Sequence, residues 1–341
     1  MQKFCASAPR FLLVFFVLAL AGCGEQPLFQ QQAFVFGTRV EISIYGAEEI
    51  KARAASAAVL QEFDRLHHAF HAWKPSPVTE LNAAFARGER HPISPELAAA
   101  IRTATRYAEA SDNLFNPAIG QLIALWGFQS DDIKATLPAP ERVAALVQAN
   151  PRMRDITLSP EGAFSRNRAV QLDFGGYAKG LALDRAVQIL RAHGIRNALV
   201  NIGGNLIALG QHGARPWHVG VQHPRRPGAI LELDLLDGEA IGTSGDYQRF
   251  FELGGTRYCH IIDPRSGYPA QHAQSLTVLA APGVEAGLQS DIASKPAFIL
   301  GARGWEAQLK RIGVEAAMFV DESGKMAMTK TLAKRARWVR Q

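Results

Sequence analysis

The run NALVNIGGNLIALG, residues 197–210, is an apolar strand pattern carrying two consecutive glycines. Twin glycines inside such a run mark a bulge, a bend in a twisted sheet or a close approach of backbone. On its C-terminal side lies a block of further strand patterns: WHVGV at 217–221, ILELDLL at 230–236, RFFELGG at 249–255, YCHIID at 258–263 and SLTVLAA at 275–281. The N-terminal side is mostly helical. Residues 48–71, 95–110, 117–126, 140–149 and 178–193 repeat apolar positions at helical spacing, after one alternating strand, FVFGTRVEISIYG at 34–46. A helix over 297–311 and two closing strands, EAAMFVD and KMAMT, complete the reading. Helices and strands come in blocks rather than in strict alternation, so the expected class is α+β with antiparallel sheets and packed helices. The Pro-containing stretch SDDIKATLPAPE at 130–141 does not read as a domain linker.

The chain has 341 residues, 48% hydrophobic and 20% charged, enough to bury a sizeable core. Its first residues differ. Lys3 and Arg10 precede FLLVFFVLAL at 11–20, an apolar run too short to span a bilayer comfortably and of the length of a signal-peptide core. The ending LAGC resembles a bacterial lipobox. It implies a signal peptide over 1–22, a lipid on Cys23, a tether over 23–32, and a domain held at a membrane on the periplasmic side of the cell envelope. Cys5 leaves with the leader and Cys23 carries lipid, so Cys259 is the thiol that remains and the body holds no intramolecular disulfide. The basic residues of KTLAKRARWVR mark 330–341 as a basic C-terminal tail. With Lys3 and Arg10 removed the net positive charge is mild, which does not suggest a nucleic-acid partner.

Three glycine-rich segments carry groups suited to chemistry. In LDFGGYAKGLALD (172–184), Asp173 ends a strand, Gly175 and Gly176 permit close approach, and Lys179 stands at the start of a helix, an arrangement suited to phosphate. It is neither a Walker motif nor G-x-G-x-x-G. NIGGNLIALG (201–210) is the second. The third, GTSGDYQRF (242–250), is followed by HIIDPRSGYP, where His260 has the chemistry of a general base. Thr243 and Ser244 lack the G-x-S-x-G context of a hydrolase nucleophile. His67 and His71 in HHAFHAW stand four apart, as zinc ligands do, but with no acid between them and no third ligand they read as a polar helix face.

Taken in order, FGT, WKPSPVTELN, FNPAIGQLIALWGF, LDFGGYAKGLALD, ALVNIGGNLIALG, TSGDYQRF, HIIDPRSGYP and SDIASKPAFILG resemble the ApbE family of flavin transferases, from about Phe36 to Gly301. The resemblance implies a single ApbE-like (T-fold-like) domain over 33–329. It also implies transfer of FMN from FAD to a Thr or Ser hydroxyl of a partner protein, with release of AMP. The partners it implies are membrane redox proteins of the Nqr, Rnf or NosR type. By position, Phe36 and Trp73 line the flavin; Phe115, Asn116, Pro117, Asp173, Lys179 and Ile262 contact FAD; and His260 is the base. Thr243, Ser244 and Asp246 form the substrate-side loop. Other readings of the same motifs are an FAD-binding carrier or scaffold without transferase activity, and an FAD pyrophosphatase.

The resemblance further implies Mg2+, held by an acid, a threonine and the carbonyl at Gly176. Asp291 and Ser294 occupy the pattern in GLQSDIASKPAFILG (287–301), but Lys295 stands where the threonine belongs. A charged lysine has no lone pair to give a metal. The expectation is therefore that Lys295, with Asp291, acts at the catalytic site and replaces part of the ion's charge. The proline after Lys295 biases that residue away from a mid-helix conformation.

Overall fold

A computed structural model of the chain describes residues 27–339; the leader, Cys23 and the last two residues lie outside the described residues. The elements run β1 (Leu28–Val35), β2 (Thr38–Tyr45), α1 (Glu49–Ala69), α2 (Pro77–Arg87), α3 (Pro95–Ala110), α4 (Gly120–Leu125) and α5 (Pro140–Ala149). Next come β3 (Ile156–Ser159), β4 (Gly162–Ser165), α6 (Ala178–Ala192), β5 (Ala198–Ile202), β6 (Asn205–Leu209), β7 (Trp217–Gln222), β8 (Ala229–Leu235) and β9 (Ala240–Gly245). The chain closes with β10 (Phe250–Leu253), β11 (Thr256–Cys259), β12 (Ala273–Ala280), α7 (Ala286–Leu300), α8 (Trp305–Arg311), β13 (Ala316–Asp321), β14 (Met326–Met328), α9 (Lys330–Ala333) and β15 (Arg337–Trp338).

Among the described residues, one antiparallel sheet of eight strands in the order β1-β2-β5-β6-β9-β12-β13-β14 forms the centre. One face carries helices: Val40, Ile42, Val200, Leu276 and Val278 pack with Val59 and Phe63 of α1, Leu183 of α6, and Ile292 and Phe298 of α7. The other face carries the small antiparallel sheet β15-β8-β7, through Ile241, Leu279 and Met318 against Val219, Leu231 and Leu233. β12 is therefore buried at all eight positions, since it is covered on both faces. A smaller cluster of Ile119, Leu122, Trp126, Phe128, Phe251 and Ile262 ties α4 and α5 to the β10–β11 hairpin. The α+β class holds. Among the described residues no helix is long and apolar enough to cross a membrane.

Six expectations change. The apolar run 197–210, read as one strand with a bulge, bend or close approach, is the β5–β6 hairpin, with Ile202 opposite Asn205 and Gly203 and Gly204 as its two-residue turn. Of the strand expected over 258–263, only Tyr258 and Cys259 lie in β11. The strand over 34–46 is a hairpin, with Val35 opposite Thr38 and a two-residue turn at Phe36 and Gly37. Residues 28–32, expected in the tether, pair with β2 as the first part of β1. The helix placed at 297–311 is two helices, because α7 continues through Pro296 and the chain breaks at Gly301 to Gly304 instead. The basic tail is docked: Leu332 is buried, Arg335 donates to Glu239 Oε2 at 2.8 Å, and Trp338 pairs with Leu231. One helix, α2, is an addition to the elements expected from periodicity. Ser76 accepts from Thr79 N at 3.0 Å in a capping box, Pro77 opens the first turn, and Gly88 ends the helix at φ 74°.

Candidate functional site

A cavity of about 770 Å³ opens where the β1–β2 turn, the ends of α1 and α3, the loop before α6, β9 and α7 meet. Its lining includes aromatic and apolar residues, Phe36, Trp73, Phe115, Phe128 and Ile262. It also includes Asp173, Gly176, Lys179, Thr243, Ser244, His260, Asp291 and Lys295, with Asn116 and Pro117. Most of the anticipated residues, drawn from seven separate segments, thus meet at one place.

Each is held by local structure. Phe36 sits at φ 56°, a left-handed conformation that costs a non-glycine residue on the order of 1–2 kcal/mol. Gly37 beside it is at φ 69°, so both turn residues are left-handed, as a two-residue hairpin of this twist requires. Strain of this kind collects at functional positions. The Phe36 ring meets His67 at 5.7 Å, His67 meets His71 at 5.0 Å, and His71 meets Trp73 at 4.7 Å. His67 and His71 therefore form part of the cavity's aromatic wall rather than a solvated helix face. Burial and neighbouring cationic groups lower both imidazoles' affinity for protons. His71 Nδ1 also accepts from Trp73 N at 3.3 Å and Lys74 N at 3.2 Å, which fixes the turn that carries Trp73.

Lys179 lies in the first turn of α6, and the amides of Gly176 and Lys179 have no acceptor among the described residues. Free amides and a lysine at a helix start favour an anion. Asp173, expected to end a strand, lies in an extended loop; its carboxylate accepts from Gly175 N at 2.8 Å and Gln129 Nε2 at 3.0 Å. Burial pushes that carboxyl up, against these two bonds. His260 Nδ1 lies 3.2 Å from the Arg249 carbonyl. A carbonyl only accepts, so Nδ1 holds the proton and Nε2 keeps the lone pair. Burial and then Lys179 push His260 down to about 3, so in the free protein the imidazole is neutral.

α6 and α7 come into backbone contact at Gly180 and Gly287. A Cβ on Gly180 would stand 2.6 Å from Leu288 Cα and 2.7 Å from Gly287 O. The close crossing lets Gly180 N donate to Asp291 Oδ2 at 3.0 Å. Buried Asp184 accepts Gly287 N at 2.7 Å and Leu288 N at 3.0 Å, capping the first turn of α7. Asp291 in turn accepts Lys295 Nζ at 2.6 Å, on both Oδ1 and its main-chain oxygen. Burial raises the Asp291 pKa, but Lys295 and Lys179 outweigh it and hold the carboxyl below its ordinary value.

Several expected roles are corrected. Thr243 and Ser244 belong to β9 rather than a loop, and their hydroxyls pair with Thr277 at 2.9 Å and Ser294 at 2.7 Å. Asp246 does not line the cavity; Arg225 Nη1 holds it at 2.7 Å. Asn116 lines the cavity, but its amide is engaged by Pro151 O at 2.8 Å and Ala118 N at 3.0 Å. Ser294 donates to Asp291 O at 2.8 Å and stays off the cavity. Arg249 is a residue that the motifs did not single out: it lines the cavity, anchors on Phe128 O at 2.9 Å and Ser130 O at 2.7 Å, and lies 5.8 Å from the centre of the Trp73 ring. Its signal was its place in TSGDYQRF, two residues before a strand aromatic that packs beside the site.

The donor set fits a flavin dinucleotide and does not fit Mg2+. A cavity of this size falls within the ~300–1,000 Å³ usual for small ligands, with flat apolar walls and basic groups in its lining. For the metal, Asp291 is occupied by Lys295 and Gly180, Ser294 faces away, and among the described residues no group of three His, Cys, Asp or Glu side chains converges.

Residues 36–318 match the model of the ApbE family. A Rhodobacter capsulatus protein named FAD:protein FMN transferase is 38% identical over 296 residues, 87% of this chain; the chain spans only 56% of that relative's length. A Treponema pallidum protein of the same name is 30% identical over 94% of this chain and 92% of its own. The crystal structure of the ApbE protein of Thermotoga maritima shares the fold with a TM-score of 0.82, at 30% identity, covering 90% of this chain and 99% of that one. The apo flavinyl transferase ApbE of Pseudomonas stutzeri superposes with a TM-score of 0.78 at 26% identity, over 92% and 98% of the two chains. With seven of its eight family motifs gathered around one cavity and its fold shared along nearly the whole length of solved relatives, the chain belongs to the ApbE family.

Proposed function

We propose that this chain is an FAD:protein FMN transferase that moves FMN from FAD to a Thr or Ser hydroxyl of a partner protein and releases AMP. The observation that carries this reading is the cavity itself, whose lining combines the aromatic residues Phe36 and Trp73 with Lys179, Lys295 and a neutral His260. Phe36 and Trp73 stack the flavin, while Lys179 and the free amides of Gly176 and Lys179 hold the phosphates. Bound FAD supplies the electrophilic phosphorus. A new bond forms from the acceptor oxygen to that phosphorus and the bond to the AMP oxygen breaks, with His260 Nε2 taking the hydroxyl proton.

An imidazole at about 3 is a weak base, and the first reason is burial. Phosphate charge beside Lys179 offsets the second reason and raises the basicity of His260 when ligand is present. The base is thus strengthened by the substrate that it serves. Thr243 and Ser244 are tied to neighbouring hydroxyls, so they shape the cavity and do not compete as nucleophiles.

The acceptor belongs to the membrane redox subunits of Nqr, Rnf or NosR type, and a lipid on Cys23 holds the enzyme beside them on the periplasmic face. The test is to incubate the full chain with FAD and acceptor domains of these three types and read flavin fluorescence on the denatured acceptor. Labelled acceptor and equimolar AMP are expected. FAD bound without labelling would indicate a carrier, and free FMN in place of labelled acceptor a pyrophosphatase; either result refutes the transferase, provided an established family member labels one acceptor in the set.

A further inference from the structure

The divalent-ion site that the family resemblance implies is not assembled, and the residue that blocks it carries its own charge. Lys295 Nζ lies 2.6 Å from Asp291 Oδ1 and 2.6 Å from Asp291 O, so two of its three protons are directed at the residue that would anchor a metal. The second carboxylate oxygen is taken by Gly180 N at 3.0 Å. Ser294, the other side chain of the pattern, does not line the cavity; it donates to Asp291 O and pairs with the Ser244 hydroxyl. Mg2+ needs a near-octahedral set of oxygens at about 2.0–2.1 Å, and an ammonium seated on the carboxylate excludes it by both space and charge.

The lysine is built in rather than merely tolerated. A Cβ on Gly176 would stand 2.7 Å from Lys295 Cε and 3.0 Å from Cδ, so the aliphatic stem runs directly over the Gly176 backbone. Asp291 is 3% exposed at the side chain and Lys295 19%, and both line the cavity together with Lys179. A buried ion pair adds little stability over well-packed apolar residues. A charge held this firmly at a cavity wall, with one donor left over, is suited to an anion.

We propose that the Lys295 ammonium is a resident substitute for the divalent cation, placing a fixed positive charge beside Lys179 against the phosphates of the bound dinucleotide, so that binding requires no divalent metal. This rests on the reading of the cavity as an FAD site. Three chains test it: wild type, Lys295→Thr, which restores an oxygen donor at this position, and Lys295→Gln, which keeps the length and removes the charge. FAD affinity is read by flavin fluorescence with excess chelator and with Mg2+, and Mn2+ binding by electron paramagnetic resonance in the presence of FAD. Thermal melts of all three establish folding.

For wild type we expect the same FAD affinity in chelator as in Mg2+, and no retained Mn2+. Lys295→Thr should lose about tenfold in FAD affinity in chelator, regain it with Mg2+ and retain Mn2+; Lys295→Gln should lose about tenfold in chelator. Wild-type FAD binding that needs Mg2+, retained Mn2+ in wild type, or two variants as tight as wild type in chelator would each overturn the assignment. FAD binding that is metal-independent and lysine-dependent, with no acceptor labelled, would refute the transferase and leave the role of Lys295 standing.

Discussion

Gly180→Ala sets two known effects against each other. In a helix, alanine is better than glycine by up to about 1 kcal/mol, so propensity alone predicts a more stable protein. The tertiary structure predicts the opposite. The added methyl would lie 2.6 Å from Leu288 Cα and 2.7 Å from Gly287 O, and both contacts are to helix backbone, which no rotamer change relieves. Ordinary contact needs about 1 Å more, and a gap of that size forfeits about a quarter to a half of the dispersion energy of the atoms it separates. Overpacking typically costs about 1–3 kcal/mol, and two backbone contacts this short place the cost in the upper part, about 2–3 kcal/mol, so the net expectation is a loss of about 1–2 kcal/mol after the propensity gain. In a domain of this size that lowers the melting temperature by about 2–8 °C. Separation of α6 from α7 also lengthens the bond from Gly180 N to Asp291 Oδ2, now 3.0 Å, and shifts Asp291 and Lys295 relative to Lys179. FAD affinity should therefore fall along with stability. Urea denaturation followed by circular dichroism measures the first and flavin fluorescence the second. A Gly180→Ala protein as stable as wild type, or more stable, would refute the close-crossing argument.

The same geometry sets four further expectations. His260→Asn should keep FAD binding and lose about 10²–10⁴ in transfer rate. Because the folded imidazole is depressed to about 3 from 6.5, its stability contribution is full above 6.5 and lost as pH falls between those values, and His260→Asn should remove that loss from the pH dependence of unfolding. Asp184 behaves with the opposite sign: burial raises it to about 7 against two amide bonds, so its contribution is present below 3.8 and lost as pH rises to about 7. Relative to Asp184→Asn, wild type should lose stability over that interval, and parallel pH curves for the two would contradict the placement. His71→Ala should weaken FAD binding by releasing the turn that carries Trp73, while His71→Asn, whose carbonyl can accept an amide two residues on, should recover part of it, as read by tryptophan quenching. A chain beginning at residue 33 should melt lower than one beginning at residue 27, because it loses five of the eight β1–β2 register pairs; equal melting would restore those residues to a free tether.

Local pattern told most of the elements and hid a few. Most strand patterns read from 197 onward appear in the fold, because alternation and β-branched content are properties of short segments; the exceptions are 197–210, which is the β5–β6 hairpin and not one bent strand, and 258–263, of which only Tyr258 and Cys259 lie in a strand. The helix at 77–87 was equally legible in principle, through Ser76, Pro77 and Gly88, yet its caps lie in a stretch without a long apolar period. The proline at 296 misled: it removes one helical hydrogen bond, but Ile292, Ala297, Phe298 and Ile299 are all buried, and packing of α7 against the sheet outweighs that loss. Residues 28–32 and the docked tail were misplaced for the reverse reason. Their partners, β2 and β8, lie elsewhere in the chain, and polar composition says nothing about edge pairing.

The ordered motifs by themselves determined the family, the α+β class and many of the residues around the cavity, since glycines, aromatics and charges at set intervals are read directly from the chain. Only the tertiary structure decided what those groups do to one another. Gly180 and Asp291 are 111 positions apart, and no local rule joins them; their bond exists because two glycines let α6 and α7 touch. The pairing of Lys295 with Asp291 is local, four residues apart on α7, but the same crossing carries the lysine stem over Gly176, turning a mismatch in a metal motif into a charge at the cavity wall. Propensity and periodicity act over a few residues, whereas dispersion, desolvation and Coulomb attraction depend on distance in space. The elements could therefore be read before folding, and the electrostatics of the site only after it.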